Sequence, residues 1–405
     1  MHFIHWAVAP PLLLVLASIL HTHLNPTSPF LYRDLLTEAG LDILNDISST
    51  NPTALITGCT SGIGLSLTKR LYTDLNFEVI CLSRSSSKME KVAEKYNMPN
   101  LITIQCDLSD LESVKTAISK VRATNSSINY LVNNAGIHYG SRKSDVSLEE
   151  IRKSTTPQGF DEVFAANYLG HFLLTEALVR DLKPVSASIP PRVVQVSSSY
   201  HYHSDGTQLS GEEPIAGMGR RSDSSNAELL RTKDLSYGNS KLAQILQTRE
   251  LVKRKGKDCE VIFASICPSW VGTNIVPESA VVAHNVVKLL AYDVETDGIN
   301  SMLMGMFHPG VKSGDYLGQT RITEQLPMGF LTSKFVSTQK LFWPWNKEAT
   351  IRDVLCHGFA GLLMITQRYG FGGVNNIESS PESYNVQLQK ELYEYSYKAV
   401  KKFLN

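Results

Sequence analysis

The sequence has no excess of charge of either sign. Lysine plus arginine and aspartate plus glutamate both number 39 in the 405 residues, so the formal net charge is zero. Proteins that bind nucleic acid through its phosphates depend on a basic surface. The composition therefore argues against nucleic acid as a partner, and the length allows one large domain or two modest ones.

Cysteine is scarce and irregularly spaced. Six cysteines are present, and none forms a Cys-x-x-Cys pair, the usual sign of a zinc or dithiol site. Several lie in apolar runs typical of buried strands, so we expect reduced, buried thiols rather than bridges. His201 and His203 lack a nearby cysteine or carboxylate set, so pocket or loop positions are favoured over a metal site, and we predict no metal.

Charged residues are absent from residues 3–20 at the N-terminus. A membrane-spanning helix needs about 20 apolar residues, so the length is borderline. No lysine or arginine precedes the run and no small-residue cleavage site follows it, which speaks against a cleaved signal peptide. We predict a membrane anchor at 1–22 and a linker at 23–50. The first basic residue, Arg33, follows the run and places the main domain on the cytosolic side.

Short β-rich runs alternate with helical stretches from residue 51 onward. The runs, in order, are ALIT, FEVICL, LITIQC, INYLV, RVVQVS and CEVIFASI. This alternation predicts an α/β fold, a Rossmann-type doubly wound parallel sheet with helices on both faces. We assign residues 51–405 to this domain, with an insert loop at 201–235.

The region 275–405 is expected to form the substrate side and to end in a helical extension. GDYLG, within it, is compatible with a short terminal strand. The last segment carries one apolar stripe, which predicts core packing rather than a partner surface. The stripe consists of Leu388, Leu392, Tyr395, Ala399 and Phe403.

A glycine-rich turn, TGCTSGIG, follows the first strand and opens a helix. Glycine lets the main chain approach a pyrophosphate closely, and the helix N-terminus offers amide hydrogens and a positive dipole. The turn therefore predicts a dinucleotide site. NAD-binding chains usually have an acidic residue at the end of the second strand, whereas this chain has Ser83 and Arg84. Arginine suits a 2′-phosphate, so we predict NADP(H), the alternative being a surface arginine.

Four further motifs follow in a fixed order. They are LVNNAG (131–136), AANYLGHF (165–172), VVQVSSSY (193–200) and SYGNSK (236–241). With the glycine turn they resemble the short-chain dehydrogenase/reductase family over residues 52 to about 275. Within that family, FDEVFAANYLGHFLLTEAL and the late SGDYLG are most similar to the retinol dehydrogenase group and its membrane-bound 3-ketosteroid reductase relatives.

The resemblance implies a role for individual positions. The catalytic residues would be Ser198, Tyr237, Lys241 and Asn167. The cofactor-binding residues would be Gly58, Ser61, Gly62, Ile63 and Gly64 at the phosphates, Arg84, Asp107 and Leu108 at the adenosine, Asn134 beside the cofactor, and Tyr237, Lys241, Val271 and Thr273 at the nicotinamide end. Ser197 and Ser199 flank Ser198, so the serine assignment stays open by one residue.

Tyr237 and Lys241 are four positions apart, so on a helix they share one face. A phenol titrates near pH 10 and exchanges its proton poorly at neutral pH. A neighbouring ammonium favours the phenolate, so we expect a lowered pKa for Tyr237 and a role as general acid/base. An isolated pair of this kind is usually a surface pair, but the other motifs favour catalysis.

The resemblance implies an NADP(H)-dependent oxidoreductase that interconverts a lipophilic alcohol and its carbonyl, of retinoid or 3-ketosteroid/sterol type. It implies a membrane location at the endoplasmic reticulum, with the catalytic domain facing the cytosol, and a homodimer. Two departures support a different hypothesis, a non-catalytic membrane-anchored NADP-binding scaffold. Pro268 is followed by Ser269 where the family usually has glycine, and the insert is unusually long.

Overall fold

A computed structural model describes residues 47, 50–138, 155–210, 236–255, 260–268, 271, 294–295, 298–319 and 374–404. The predicted anchor and Thr273 lie outside these residues, as do nearly all of the linker and positions 211–235 of the insert. Within the described ranges, no helix combines the length and the apolar character needed to cross a membrane.

In the described part of the chain, eight strands form one sheet in the order β3-β2-β1-β4-β5-β6-β7-β8. The strands are β1 (Thr53–Thr57), β2 (Glu78–Ser83), β3 (Ile102–Gln105), β4 (Ile128–Asn133), β5 (Arg192–Val196), β6 (Ile262–Cys267), β7 (Tyr316–Gln319) and β8 (Val374–Asn376). β1 to β7 are parallel, and β8 is antiparallel to β7. The predicted parallel sheet is confirmed, including GDYLG as its seventh strand.

Helices cover both faces of this sheet, as predicted. They are α1 (Gly62–Lys69), α2 (Ser86–Lys95), α3 (Leu111–Ala123), α4 (Glu162–Phe164, a π-helical turn Ala165–Leu169, then Gly170–Leu178), α5 (Ser236–Lys255), α6 (Asn300–Phe307) and α7 (Val386–Val400). Successive strand side chains alternate between faces: Leu55 packs with α3, α4, α5 and α7, whereas Ile56 packs with α1, α2 and α6. Because β1 to β7 are parallel, their carboxyl ends lie along the same edge of the sheet.

The C-terminal helix α7 belongs to the main core. The Asn385 side chain caps it by accepting from the main-chain N–H groups of Gln387 and Leu388, both at 3.1 Å. The predicted stripe faces inward: Leu388, Leu392 and Phe403 are buried, and Tyr395 and Ala399 are partly buried against the same cluster. The prediction of core packing is confirmed.

One expectation about cysteine is wrong. Cys59, in the glycine turn, and Cys81, in β2, form a disulfide, with their Cα atoms 5.8 Å apart. The parallel pairing of β1 with β2 brings these distant positions together. Cys106 and Cys267 are buried and form no disulfide, and the remaining two cysteines lie outside the described residues.

Candidate active site

The glycine turn is packed tightly against the end of β4. Gly58 has a φ of +75°, which favours glycine. A Cβ on Gly64 would overlap the carbonyl oxygen of Gly58 and Nδ2 of Asn134. Asn134 Nδ2 donates to the carbonyl of Thr57 at 2.8 Å, so this side chain holds the turn in place. The turn ends at Ser61, an exposed N-cap at the start of α1.

The residues expected at the adenosine lie at the same sheet edge. Arg84 is exposed and directly follows β2, the neighbour of β1. Asp107 follows β3, and its Oδ1 accepts from the N–H of Ser109 at 2.9 Å and from its hydroxyl at 2.7 Å. Leu108 is buried beside it. The sheet order therefore brings Arg84 and Asp107 to the side of the glycine turn where an adenosine would lie.

Tyr237 and Lys241 lie on one face of α5, and both are buried. Lys241 Nζ donates to the carbonyl of Val196, at the end of β5, at 2.7 Å and to Gln244 Oε1 at 3.3 Å. The same nitrogen lies 5.4 Å from the centroid of the Tyr237 ring. The helix thus brings the phenol and the amine to the carboxyl edge of the sheet.

The three consecutive serines after β5 have different surroundings. The Ser198 side chain lies close enough to the Tyr237 phenol to lower its pKa, and its hydroxyl accepts from the N–H of Tyr200 at 3.3 Å. Ser197 is buried and donates to the carbonyl of Lys241 at 2.8 Å, while Ser199 is exposed and begins a 3-10 turn. This geometry favours Ser198 as the serine of the site.

Asn167 lies in the π-helical turn of α4 and is fully buried. Its Oδ1 accepts from the N–H of Ile137 at 2.8 Å, and its Nδ2 donates to Ile137 O and Ser240 Oγ, both at 3.1 Å. Its main-chain carbonyl accepts from His171 Nδ1 and Gln244 Nε2, both at 2.9 Å. π-helical turns are frequent at functional sites; here the turn frees this carbonyl for side-chain donors.

Gly136 is exposed between Lys241 and Asn167. A Cβ built on Gly136 would lie 3.5 Å from Lys241 Nζ and 3.6 Å from Asn167 Oδ1. The absence of a side chain at Gly136 therefore leaves space beside both groups. Of the remaining predicted positions, Val271 is buried.

Comparison with known proteins agrees with this geometry. A family model described as short chain dehydrogenase matches residues 52–206. The chain is 27% identical to short-chain dehydrogenase TIC 32 A, chloroplastic, of Brassica napus over 294 residues, 70% of this chain and 84% of the relative. It is 27% identical to polyprenol dehydrogenase of Homo sapiens over 314 residues, 75% and 85% of the two chains. It is 28% identical to retinol dehydrogenase 14 of Mus musculus over 296 residues, 68% and 80%.

The chain resembles the short-chain dehydrogenase/reductase family, whose model matches residues 52–206. It is therefore an oxidoreductase that acts on CH–OH groups, and the resemblance to the retinol dehydrogenase group is confirmed by its relatives.

Burial dominates the electrostatics of this site. It raises the pKa of Tyr237 well above its usual range, and the hydrogen bond from Ser198 lowers it. Burial also lowers the pKa of Lys241 to about 7. The lowered pKa expected for Tyr237 is thus the wrong direction here, because burial penalises phenolate and ammonium alike.

His171 supports the site in its neutral form. Burial lowers its pKa to about 3. Its Nδ1–H donates to Asn167 O, and its Nε2 lies 2.9 Å from the hydroxyl of Thr57 at the end of β1. That hydroxyl also accepts from the N–H groups of Asn134 and Ala135, both at 2.9 Å. The neutral His171 imidazole thus links α4 to the glycine turn.

Two aromatic residues of the dehydrogenase site were not predicted. The His138 ring stacks on Tyr237, with centroids 4.6 Å apart and planes 17° from parallel. Tyr200 meets both rings edge-on, at 5.8 Å and 5.5 Å, and is 38% exposed. His138 lies two residues beyond LVNNAG, and Tyr200 is the last residue of VVQVSSSY. Nothing in the sequence pattern marked them as partners of Tyr237.

Proposed function

We propose that this protein is an NADP(H)-dependent oxidoreductase that interconverts a lipophilic alcohol and its carbonyl compound. The observation that carries the proposal is that the buried Tyr237 and Lys241 share one face of α5, with Lys241 Nζ 5.4 Å from the centroid of the Tyr237 ring, next to Ser198. Asn167 Oδ1 lies beside Gly136, as does Lys241 Nζ. A serine, a tyrosine, a lysine and an asparagine from three separate elements meet at one edge of the sheet.

The residues present fit a dinucleotide. A side chain at Gly64 would overlap the main chain of the turn, so the glycine keeps the turn tight at the N-terminus of α1, where amide hydrogens can bind phosphate. Arg84 is exposed and directly follows β2, and its guanidinium would suit a phosphate on the adenosine ribose. NADP(H), when bound, would supply the hydride to the carbonyl carbon, or accept it from the alcohol.

Tyr237 would move the proton that accompanies the hydride. In the direction of reduction, its Oη donates to the carbonyl oxygen of the substrate. A pKa raised by burial keeps this phenol protonated at neutral pH, so the proton to be donated is present. The Ser198 hydroxyl would donate a hydrogen bond to the same oxygen, stabilising the negative charge that develops there.

Lys241 and Asn167 would complete the proton path. Lys241 Nζ is oriented by the Val196 carbonyl, and it would bind the nicotinamide ribose. Asn167 is held rigidly by Ile137 and Ser240. It would position a water molecule that resupplies the proton lost by Tyr237. This arrangement would supply a proton at Tyr237 Oη and a route to replace it.

The proposed substrate class is lipophilic. Two relatives are named for polyprenol and retinol. In this chain the His138 ring stacks on Tyr237 and lies beside the ring of Tyr200. The apolar run at 3–20 supports a membrane location, where a water-insoluble substrate is concentrated. A position at the endoplasmic reticulum with a cytosolic catalytic domain, and a homodimer, stay part of the proposal.

The test uses the full-length protein, purified in detergent. Retinals, 3-ketosteroids and polyprenals are each assayed with NADPH and NADH, by following loss of the reduced nicotinamide. We expect oxidation of NADPH that depends on one of these carbonyl classes. If NADPH binds but no carbonyl is reduced and no corresponding alcohol is oxidised, the scaffold hypothesis replaces the enzyme.

A second experiment tests the cofactor. Arg84→Asp should weaken NADPH binding by about 10- to 100-fold, because a hydrogen bond to a charged group is worth about 1.5–3 kcal/mol. NADH binding should change little. Lys88→Asp, an equal change of charge at another exposed residue nearby, is the matched control. Equal losses for both cofactors, or equal effects of the two variants, would contradict the assignment of Arg84.

A further inference from the structure

A buried histidine lies three residues after Ser198. His201 is fully buried in the 3-10 turn Ser199–His203. Its Nδ1 is 2.7 Å from the carbonyl oxygen of Ser198, and its Nε2 is 2.9 Å from the main-chain N–H of Ser380. A carbonyl only accepts and an amide only donates, so the ring is neutral, with its proton on Nδ1. Among the described residues, no group of three His, Cys, Asp or Glu side chains could hold a metal ion.

The ring is fixed on its faces as well as at its nitrogens. Tyr202 packs against it with centroids 4.1 Å apart, and Tyr316 meets it edge-on at 5.1 Å. The Tyr316 hydroxyl lies 3.4 Å from Nδ1. The main-chain N–H of His201 also donates to the Ser198 carbonyl, at 3.1 Å. The histidine therefore holds this carbonyl with both its main chain and its side chain.

The partner on the other side, Ser380, belongs to a segment anchored to α5. Arg249 of α5 donates to Ser379 Oγ at 2.9 Å and to Ser383 Oγ at 2.5 Å. The three serines are buried. Tyr202 donates to the carbonyl of Glu378 at 2.7 Å. The segment 377–384 is thus tied to the helix that carries Tyr237 and Lys241.

We propose that His201 is a positioning residue that fixes Ser198 against Tyr237 by bracing the Ser198 main chain on the segment 377–384. The proposal rests on the proposed function and adds a part of the chain far from the catalytic motifs. The serine turn and the catalytic helix are separate elements, and the relative position of their hydroxyls decides how well both meet one substrate oxygen. His201 and Ser380 link the two elements from behind the site.

The first test separates the two hydrogen bonds of the ring. An asparagine places an amide donor near Nδ1, so His201→Asn should keep the bond to Ser198 O, lose the bond to Ser380 and lower kcat by about 3- to 10-fold. His201→Gln places its amide near Nε2, and His201→Phe offers neither group. Both should lower kcat by about 10- to 100-fold, with KM and the NADPH Kd nearly unchanged. Equal kcat for the folded Asn, Gln and Phe variants would overturn the proposal.

Ser380→Pro tests the link without changing the histidine. Ser380 has φ −56°, close to the value that proline imposes. The substitution therefore removes the N–H that donates to Nε2 while keeping the local conformation. We expect kcat to fall by about 3- to 10-fold at unchanged KM. An unchanged kcat in folded Ser380→Pro protein overturns the proposal even where the His201 variants do not fold.

A double-mutant cycle asks whether His201 acts through Ser198. If it does, His201→Gln should cost little further activity in a Ser198→Ala background. Multiplying losses would show that the histidine acts elsewhere and would overturn the proposal. The two proposals fail separately. If Ser198→Ala and Tyr237→Phe leave turnover intact, the proposed function is wrong; if they abolish it and the cycle is additive, only the role of His201 is wrong.

Discussion

Replacing Tyr237 by phenylalanine removes one oxygen from the centre of the proposed site. The ring, its stacking on His138 and its contact with Tyr200 involve no hydroxyl, so they should be kept. Two things are lost: the hydrogen bond with Ser198 and the proton that the reaction needs. The variant therefore separates chemistry from packing.

The magnitudes of these losses differ. A positioned general acid contributes about 10²- to 10⁴-fold to the rate, which corresponds to about 2.7–5.4 kcal/mol. A net hydrogen bond is worth about 0.5–1.5 kcal/mol, so stability should fall by about 1 kcal/mol and NADPH affinity by at most about tenfold. We expect kcat to fall at least 100-fold while the protein stays folded and binds cofactor.

The assay combines three measurements on the same preparation: steady-state kcat with saturating NADPH, the NADPH Kd from fluorescence quenching, and the Tm. Tyr168→Phe is the matched control, because Tyr168 is also buried and its hydroxyl lies 2.9 Å from a serine hydroxyl, that of Ser396 on α7. It should lose similar stability and keep its turnover. A Tyr237→Phe protein that turns over within about tenfold of wild type would refute the role of the phenol as proton donor.

Three further predictions follow from the site. Burial lowers the pKa of Lys241 to about 7, so its ammonium is lost as the pH rises through that value. We therefore expect kcat/KM for reduction to fall above about pH 7 and Lys241→Arg to shift the fall to higher pH. A flat wild-type profile up to about pH 9 would contradict this prediction. Gly64→Ala should weaken NADPH binding by more than about tenfold, because the new Cβ would overlap the Gly58 carbonyl; unchanged titrations of folded protein would show that the turn does not bind cofactor. His138→Ala should lower kcat by about 2- to 12-fold, since a stacked ring pair is worth about 0.5–1.5 kcal/mol, whereas His138→Phe should restore it; the same kcat in both variants would contradict a role for the stack.

The parts of the fold that a local pattern encodes were predictable. GDYLG was recognisable as a strand, and the stripe that includes Leu388 and Leu392 indicated a buried helix face. β8 was not recognisable, because Val374–Asn376 is short and polar and is a strand only through its pairing with β7. The disulfide was missed for the same reason. Cys59 and Cys81 become neighbours through the register of two strands, which no local motif reports.

The site was predictable as a set of residues but not in its energetics. The motif order indicated Ser198, Tyr237, Lys241 and Asn167, and the structure brings all four to one edge of the sheet. The spacing of Tyr237 and Lys241 gave their common helix face but not the depth at which that face is buried. Burial, a property of the whole fold, reverses the expected direction of the Tyr237 pKa. His138 and His201 owe their contacts to tertiary packing and carry no motif of their own.

The antiparallel pairing of β8 with β7 has a consequence for which changes of length the sheet tolerates. Gln319, the last residue of β7, is paired with Val374, the first residue of β8, so these two residues lie on neighbouring strands about 4.8 Å apart. Sites whose two ends lie close together tolerate exchange and changes of length. We therefore expect an exchange of residues 320–373 between relatives to leave the pairing of β7 with β8 in place.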